Sequence, residues 1–419
     1  MASPDSLLAL RNPVVRRFAA GRIISVLGAQ MVSVAVGWQL YERTGSAFAL
    51  GAVGLVELIP VLVLALPAGH LADRFRRRDL AIFAQALLAL SSLGLALVAA
   101  LHGPVAAIYA LLFCTGVGVS FRSPSVGAIL PQLLPPEQFH NANAWLSSGS
   151  QFASMAGPAL GGLLIAASGG ETWTYALAAG AHLVFILLLA TLPRIEPAPR
   201  GRPSWPELLA GLHFVWRTKL FLAAITLDLF AVLLGGATAL LPIFAKDILH
   251  VGAQGLGWLR AAPALGAFAM ALVQTRLPPW QKSGRALLLT VAGFGAATVV
   301  FGLSRSFALS FTMLALTGLF DNISVVIRLT LEQLLTPESM RGRVSAVHYV
   351  FIGLSNELGS FESGSTAALF GPIASVVGGG LGTILVVALV AWRWPVLAAL
   401  GPLGQVASAE AAPDAALAP

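Results

Sequence analysis

Twelve stretches of about 20 or more mostly apolar residues follow one another along the 419-residue chain, each long enough to cross the hydrocarbon core of a bilayer. They fall near residues 14–41, 48–70, 79–101, 105–127, 140–168, 171–192, 219–246, 253–276, 285–303, 307–333, 342–368 and 370–392. With 57% of residues hydrophobic and 10% charged, no soluble fold hides this much apolar surface. Helices satisfy their own backbone without water, so the chain is expected to be an all-α polytopic membrane protein of twelve transmembrane helices. Alternation puts both termini on one side. Eighteen Lys and Arg residues then lie on that side, three on the other (Arg43, Lys246, Arg305) and four within spans (Arg22, Arg122, Arg260, Arg328). Positive charge marks the cytoplasmic face, so both termini are expected there. The same bias explains the formal charge of +7, and no nucleic-acid partner is expected. Cys114 is the single cysteine, which excludes an intrachain disulfide and any multi-cysteine metal site. The apolar run after Arg11, Arg16 and Arg17 is too long for a signal peptide and lacks a cleavage site, so it should stay as a helix.

The longest connection, Pro193 to Thr218, carries five prolines and four arginines and divides the spans six and six. The expected organisation is a six-helix bundle at 1–192, a cytoplasmic linker at 193–218, a second bundle at 219–393 and a disordered cytoplasmic tail at 394–419. Within the linker, Trp205 to Trp216 sets Leu208, Leu209, Leu212 and Val215 on one face, which reads as an amphipathic helix at the membrane surface or a plain linker helix. Gln132-Leu133-Leu134-Pro135-Pro136-Glu137 recurs 201 residues later as Gln333-Leu334-Leu335-Thr336-Pro337-Glu338. The same displacement carries Gly69–Leu80 onto Met270–Gln281, where Gln274 replaces Asp73. Equivalent loops on one side imply parallel repeats, two bundles with a central site between them.

Gly69 to Leu80 reads G-H-L-A-D-R-F-R-R-R-D-L, a charged turn between the second and third spans. It resembles the loop signature of the major facilitator superfamily, G-x-L-A-D-R-x-G-R-[KR], through Gly69, Leu71, Ala72, Asp73, Arg74, Arg77 and Arg78, with Arg76 at the usual glycine. In span five, Gly157-Pro158-Ala159-Leu160-Gly161-Gly162, preceded by Gly149, resembles the G-P-x-x-G-G signature of that family's exporters. Asn12–Arg22, Tyr41–Ser46 and Pro131–Asn143 are similar to the branch that includes enterobactin-type and macrolide exporters. The resemblance implies the major facilitator fold in a bacterial cytoplasmic membrane. It also implies a conformational latch at Gly69, Asp73, Arg74 and Arg77, with Asp73 meeting the N-terminal end of span eleven. Small residues in the span-five motif would allow close helix approach, and Pro158 would free one backbone hydrogen bond.

A formal charge deep in hydrocarbon costs about 2.5–3.5 kcal/mol on insertion scales unless it faces protein or water. Such residues are Arg22, Glu57, Arg122, Asp228, Arg260, Asp321, Arg328, Glu357 and Glu362, and spans three, six, nine and twelve carry none in their interiors. In the family resembled, those four spans are the outer helices. At about 1.5 Å per residue, Asp321 and Glu357 come near the midplane and Glu57 and Asp228 part-way in. Arg22, Arg260, Arg328 and Glu362 are close enough to a surface to snorkel, and Arg328 and Glu332 have the i, i+4 spacing of a local pair. Asp321 and Glu357 are read as unneutralised carboxylates, at least one holding a proton at neutral pH. Arg122 matches, by the resemblance, an arginine that tunes proton exchange in drug antiporters, although the following glycine is missing.

The expected activity is proton-coupled efflux of a small organic molecule, drug or siderophore-like, by alternating access, with protons and the lipid bilayer as partners, no cofactor, and a monomer as the working unit. A G-x-x-x-x-G-K-[ST] loop is absent, so ATP is not the direct energy source. An importer or uniporter, a membrane enzyme and a non-transporting receptor are the alternatives. Against an enzyme, His70, His102, His140 and His250 lie at span ends or loops and no nucleophile-and-base pattern appears.

Overall fold

The computed structural model describes residues 8–404 except 128, 194–204, 279 and 339, and every regular element among them is a helix. The long helices are α1 (Pro13–Thr44), α2 (Ala47–Arg74), α3 (Arg77–Ala100), α4 (Val105–Gly127), α5 (Pro136–Ser168) and α6 (Thr172–Ala190). After the helix Trp205–Arg217 come α7 (Lys219–Leu234), α8 (Gly252–Gln274), α9 (Ser283–Leu303), α10 (Phe307–Leu335), α11 (Arg341–Phe370) and α12 (Pro372–Arg393). Between α7 and α8 the chain stays coiled through a 3-10 turn, Ala237–Leu240, and a π turn, Phe244–Ile248. Eleven stretches among the described residues are long and apolar enough to cross a membrane. α11 has the length, at 30 residues, but its seven-residue run Ser355-Asn356-Glu357-Leu358-Gly359-Ser360-Phe361 dilutes its hydropathy.

Local sequence sets the helix ends. Asn12 caps α1 by accepting from the Val14 amide at 3.0 Å, with Pro13 at the first helical position, where its missing N–H costs nothing. Gly45 ends α1 at φ 59°, a conformation costly for other residues, and Ser46 then caps α2. Two residues thus turn the chain between neighbouring helices.

The chain forms two compact units. The first holds residues 1–203 together with Leu241–Ala261. In it α1 packs on α5 and α6, α3 on α4 and α6, and α2 on α4. The second holds Ser204–Leu240 and 262–419. There α7 packs on α11 and α12 and α9 on α10 and α12, while Gly266 and Gly318 bring α8 against α10. These pairings are the first unit's with six added to each helix number, the structural form of the repeat seen in the loops.

Three expectations are corrected. The charged stretch is mostly helical: α2 runs to Arg74, α3 starts at Arg77, and Phe75 and Arg76 alone make the turn, with Ala72 and Leu80 buried on either side of it. The amphipathic helix folds onto its own bundle, with Val215 buried among Phe221, Leu335 and Val344, and a Cβ on Gly211 would sit 2.9 Å from the Arg343 carbonyl oxygen. The tail does not become irregular at 394, since Pro395–Ala398 is a helical turn whose Leu397 is buried and Leu400 accepts the Gly284 amide at 3.2 Å. Trp394 and Leu397 give this segment the apolar surface to dock.

Candidate functional site

The second unit carries a buried charge cluster. Asp321, Ser324 and Arg328 are spaced by three and four residues on α10, so they share a face, and α7 brings Asp228 to it. Arg328 pairs with Asp228 through Nη1, reaches Asp321 Oδ1 at 3.7 Å through Nη2, and donates from Nε to the Ser324 carbonyl at 3.3 Å. The Arg328 side chain is 5% exposed and that of Asp228 11%, whereas that of Asp321 is 48% exposed. Both carboxylates line a small open recess with Thr290, Val291, Phe294 and Phe320. With all three groups ionised the cluster carries one excess negative charge. That excess sits at Asp321, the more open and more loosely held of the two carboxylates.

This overturns the expectation that Arg328 snorkels and pairs with Glu332, and with it the view of Asp321 as unneutralised. Arg328 turns inward because two carboxylates offer better solvation than one turn of its own helix. Glu332 instead accepts from the Ser345 hydroxyl and pairs with the His348 ring, both on α11, and the ring packs edge-on against Phe221. Glu357 is half-buried on α11, and Glu362 accepts from the Ser363 hydroxyl at 3.3 Å.

In the first unit, the span-five motif is a packing surface. Added Cβ atoms would stand 2.1 Å from Ile23 Cδ1 at Gly149, 2.6 Å from Gln30 Cβ at Gly157 and 3.1 Å from Met31 Cα at Gly161, so these three fit α5 to α1. Gly162 faces the start of α8: its Cβ would lie 2.4 Å from the Ala253 carbonyl oxygen, and one on Gly257 would lie 2.6 Å from that of Pro158. The same segment, Leu241–Ala261, is tied to α1. Tyr41 donates its hydroxyl to Asp247, Lys246 Nζ stands 6.0 Å from the Trp38 and Tyr41 ring centroids, and Arg260 donates to Ser33 Oγ at 2.8 Å. Arg260 therefore serves this seam rather than snorkelling. At the same end, burial pushes the carboxyl of Glu171, in the turn before α6, above its usual range.

Of the expected latch, Gly69 has open space around it, Arg74 is exposed and Arg77 is buried; the Asp73 side chain lies outside the described residues. Arg78, outside the expected set, donates to the Leu192 carbonyl at 2.7 Å and holds α3 to the end of α6. Glu57 is half-buried on α2, its carbonyl against Gly116 of α4.

Two buried histidines, neutral and so unmarked by formal charge along the sequence, sit in polar networks. His182, buried in α6, places Nδ1 at 2.8 Å from Gln85 Oε1 and 3.1 Å from Ser25 Oγ, while Ser25 donates to the same Gln85 oxygen at 3.0 Å. The signal was there: three polar side chains in otherwise apolar spans. His348 is the other. Among the described residues no three His, Cys, Asp or Glu side chains gather as metal ligands.

Two packed helical units of repeated internal architecture, with ionic and polar groups inside spans, define an integral membrane transporter. The chain belongs to the Major Facilitator Superfamily, whose family model matches residues 18–360. Enterobactin exporter EntS of Shigella boydii serotype 18 (strain CDC 3083-94 / BS512) is 29% identical over 377 residues, covering 90% of each chain. The protein of the same name from Escherichia coli O1:K1 / APEC matches equally, at 29% over 90% of each chain. Among solved structures, a bacterial homolog of the human lysosomal transporter Spinster is similar with a TM-score of 0.72 at 15% identity, over 94% of this chain and 99% of that one. A peptide transporter POT is similar with a TM-score of 0.73 at 12% identity, over 95% of this chain and 99% of that one. The fold is that of secondary transporters of small molecules, not of an enzyme.

Proposed function

We propose that the protein exports a small organic molecule from the cytoplasm in exchange for protons, with both termini cytoplasmic and a monomer as the working unit. The observation that carries the coupling is the Asp228–Arg328–Asp321 cluster with its one excess carboxylate. In this reading Asp321 accepts a proton, Arg328 is left to Asp228 alone, and α10 is free to shift against α7. Releasing the proton restores the two-sided grip. The cluster thereby links protonation to a rearrangement between two helices of one bundle, which is what a coupled carrier requires.

Efflux direction is supported by the relatives' names and by the span-five motif, whose glycines close α5 onto α1 and onto the start of α8. Enterobactin, named for those relatives, is the first substrate to try. The protein is reconstituted in vesicles with a pH-sensitive dye inside, and enterobactin is added without an imposed gradient. Substrate movement that drives protons the opposite way supports the proposal. Movement with no proton signal, or with protons travelling alongside, overturns it.

A further inference from the structure

The first unit contains two arginines that the fold leaves without counter-charges. Arg22 on α1 and Arg122 on α4 are both half-buried, and among the described residues neither has an ion pair or hydrogen bond. Among the described residues, the other buried or half-buried arginines all find partners. Arg328 has two aspartates, Arg43 bonds the Gly103 carbonyl at 2.7 Å, Arg78 bonds that of Leu192 and Arg260 bonds Ser33.

Helix geometry gives their direction. Arg22 precedes Ser33 by eleven residues, about three turns, so it lies on the face of α1 that farther along receives Arg260. It also precedes Ser25 by one turn, next to the Ser25–Gln85–His182 network. Arg122 follows Gly118 by four residues, on the face of α4 that packs against Leu88 of α3, the helix of Gln85. That network is short of acceptors: Gln85 Oε1 already meets two partners, while the fully buried Gln85 Nε2 has none. The interior of this bundle therefore offers positive charge and a spare donor.

Two guanidiniums without partners, on faces beside one network short of acceptors, suit an oxyanion between or beside them. We propose that Arg22 and Arg122 form an anion-binding subsite in the N-terminal bundle, and that the exported molecule carries a carboxylate or comparable oxyanion received there. The cargo part rests on the transport reading; the subsite does not. An anionic lipid headgroup offers the same chemistry from another source.

The test uses the full chain in nanodiscs of phosphatidylcholine, with benzoate as the anionic probe and benzyl alcohol as its neutral match, and follows the thermal unfolding midpoint. Benzoate should protect the wild type and benzyl alcohol should not. Arg22→Gln and Arg122→Gln should each weaken apparent benzoate affinity roughly ten- to a hundredfold. Without anion they should unfold no lower than the wild type, since each change removes a half-buried charge that has no counter-ion. Arg22→Lys and Arg122→Lys, which keep the charge but lose the fork, should retain weaker protection and serve where a Gln variant does not fold. No benzoate protection of the wild type, or undiminished protection of both Gln variants, overturns the subsite. If phosphatidylglycerol nanodiscs alone protect the wild type and abolish its benzoate response, the occupant is lipid and the cargo assignment falls. Benzoate protection that survives while proton-coupled transport is absent defeats the transport reading and leaves the subsite standing.

Discussion

Removing the Asp228 carboxylate as Asp228→Asn tests whether Arg328 is held as a buried ion pair. Arg328 is 5% exposed, so it cannot recover hydration where it stands. It would keep the Ser324 carbonyl at 3.3 Å and Asp321 at 3.7 Å. An attraction at that distance reaches about 4 kcal/mol at an effective dielectric of about 20, and solvent at the half-exposed Asp321 screens most of it, so Asp321 offsets only a minor part of the loss. Breaking a buried pair by removing one partner costs about 3–5 kcal/mol, and the remaining aspartate puts Asp228→Asn near 3. Arg328→Met leaves Asp228 buried with no cation and belongs near 5. The double variant Asp228→Asn/Arg328→Met leaves no buried charge, and the half-exposed Asp321 can hydrate or protonate, so the loss should be about 1–2 kcal/mol, below either single change. Denaturant unfolding of the purified protein in mixed detergent micelles, on all four proteins, gives the coupling energy. Single effects that add in the double variant would refute the pairing.

Other outcomes follow from the same structure. Gly162→Ala should destabilise the protein by about 1–3 kcal/mol, because the new methyl meets the Ala253 carbonyl oxygen, while Gly170→Ala, with nothing within 4 Å, should be silent by the same unfolding assay. Tyr41→Phe removes the donor to Asp247 and should cost about 1.5–3 kcal/mol, read as a lower unfolding midpoint. Glu171 has its folded carboxyl value raised by burial, so the folded state keeps a proton that the unfolded chain releases. Stability should therefore fall as pH rises from the ordinary carboxyl range through the raised value, and Glu171→Gln should flatten that slope in midpoints taken across pH. Asp73→Asn should insert and fold normally yet lose most vesicle transport, with Gln274→Ala, at the repeat-related position, nearly silent.

How much was legible in the sequence depended on the range of the interaction. Helix number and order came from runs of apolar residues, and the repeat came from Gln132–Glu137 against Gln333–Glu338, both local signals. The glycines of span five were recognisable as a close-packing surface because steric need shows in composition. Which helix they met, α1 for Gly149, Gly157 and Gly161 but α8 for Gly162, is a tertiary fact. Arg328 shows the limit most clearly: i, i+4 spacing offered Glu332, and the fold offered Asp228 from a helix about a hundred residues earlier. A depth estimate from residue counting cannot choose between partners on the same helix and across it. His182 and His348 are polar marks in apolar spans, but the role of a neutral side chain is set by the Gln85, Ser25 and Glu332 groups that the fold packs around it.

The most direct test of proton-coupled export compares wild type and Asp321→Asn in reconstituted vesicles, with enterobactin exchange measured without a gradient and accumulation measured under an imposed pH gradient. Asparagine keeps the shape beside Arg328 and removes the titrating oxygen. Exchange should survive in Asp321→Asn while gradient-driven accumulation is lost, and Glu357→Gln should leave both in place. Accumulation by Asp321→Asn at the wild-type level would contradict it and move the coupling site away from the Asp228–Arg328–Asp321 cluster.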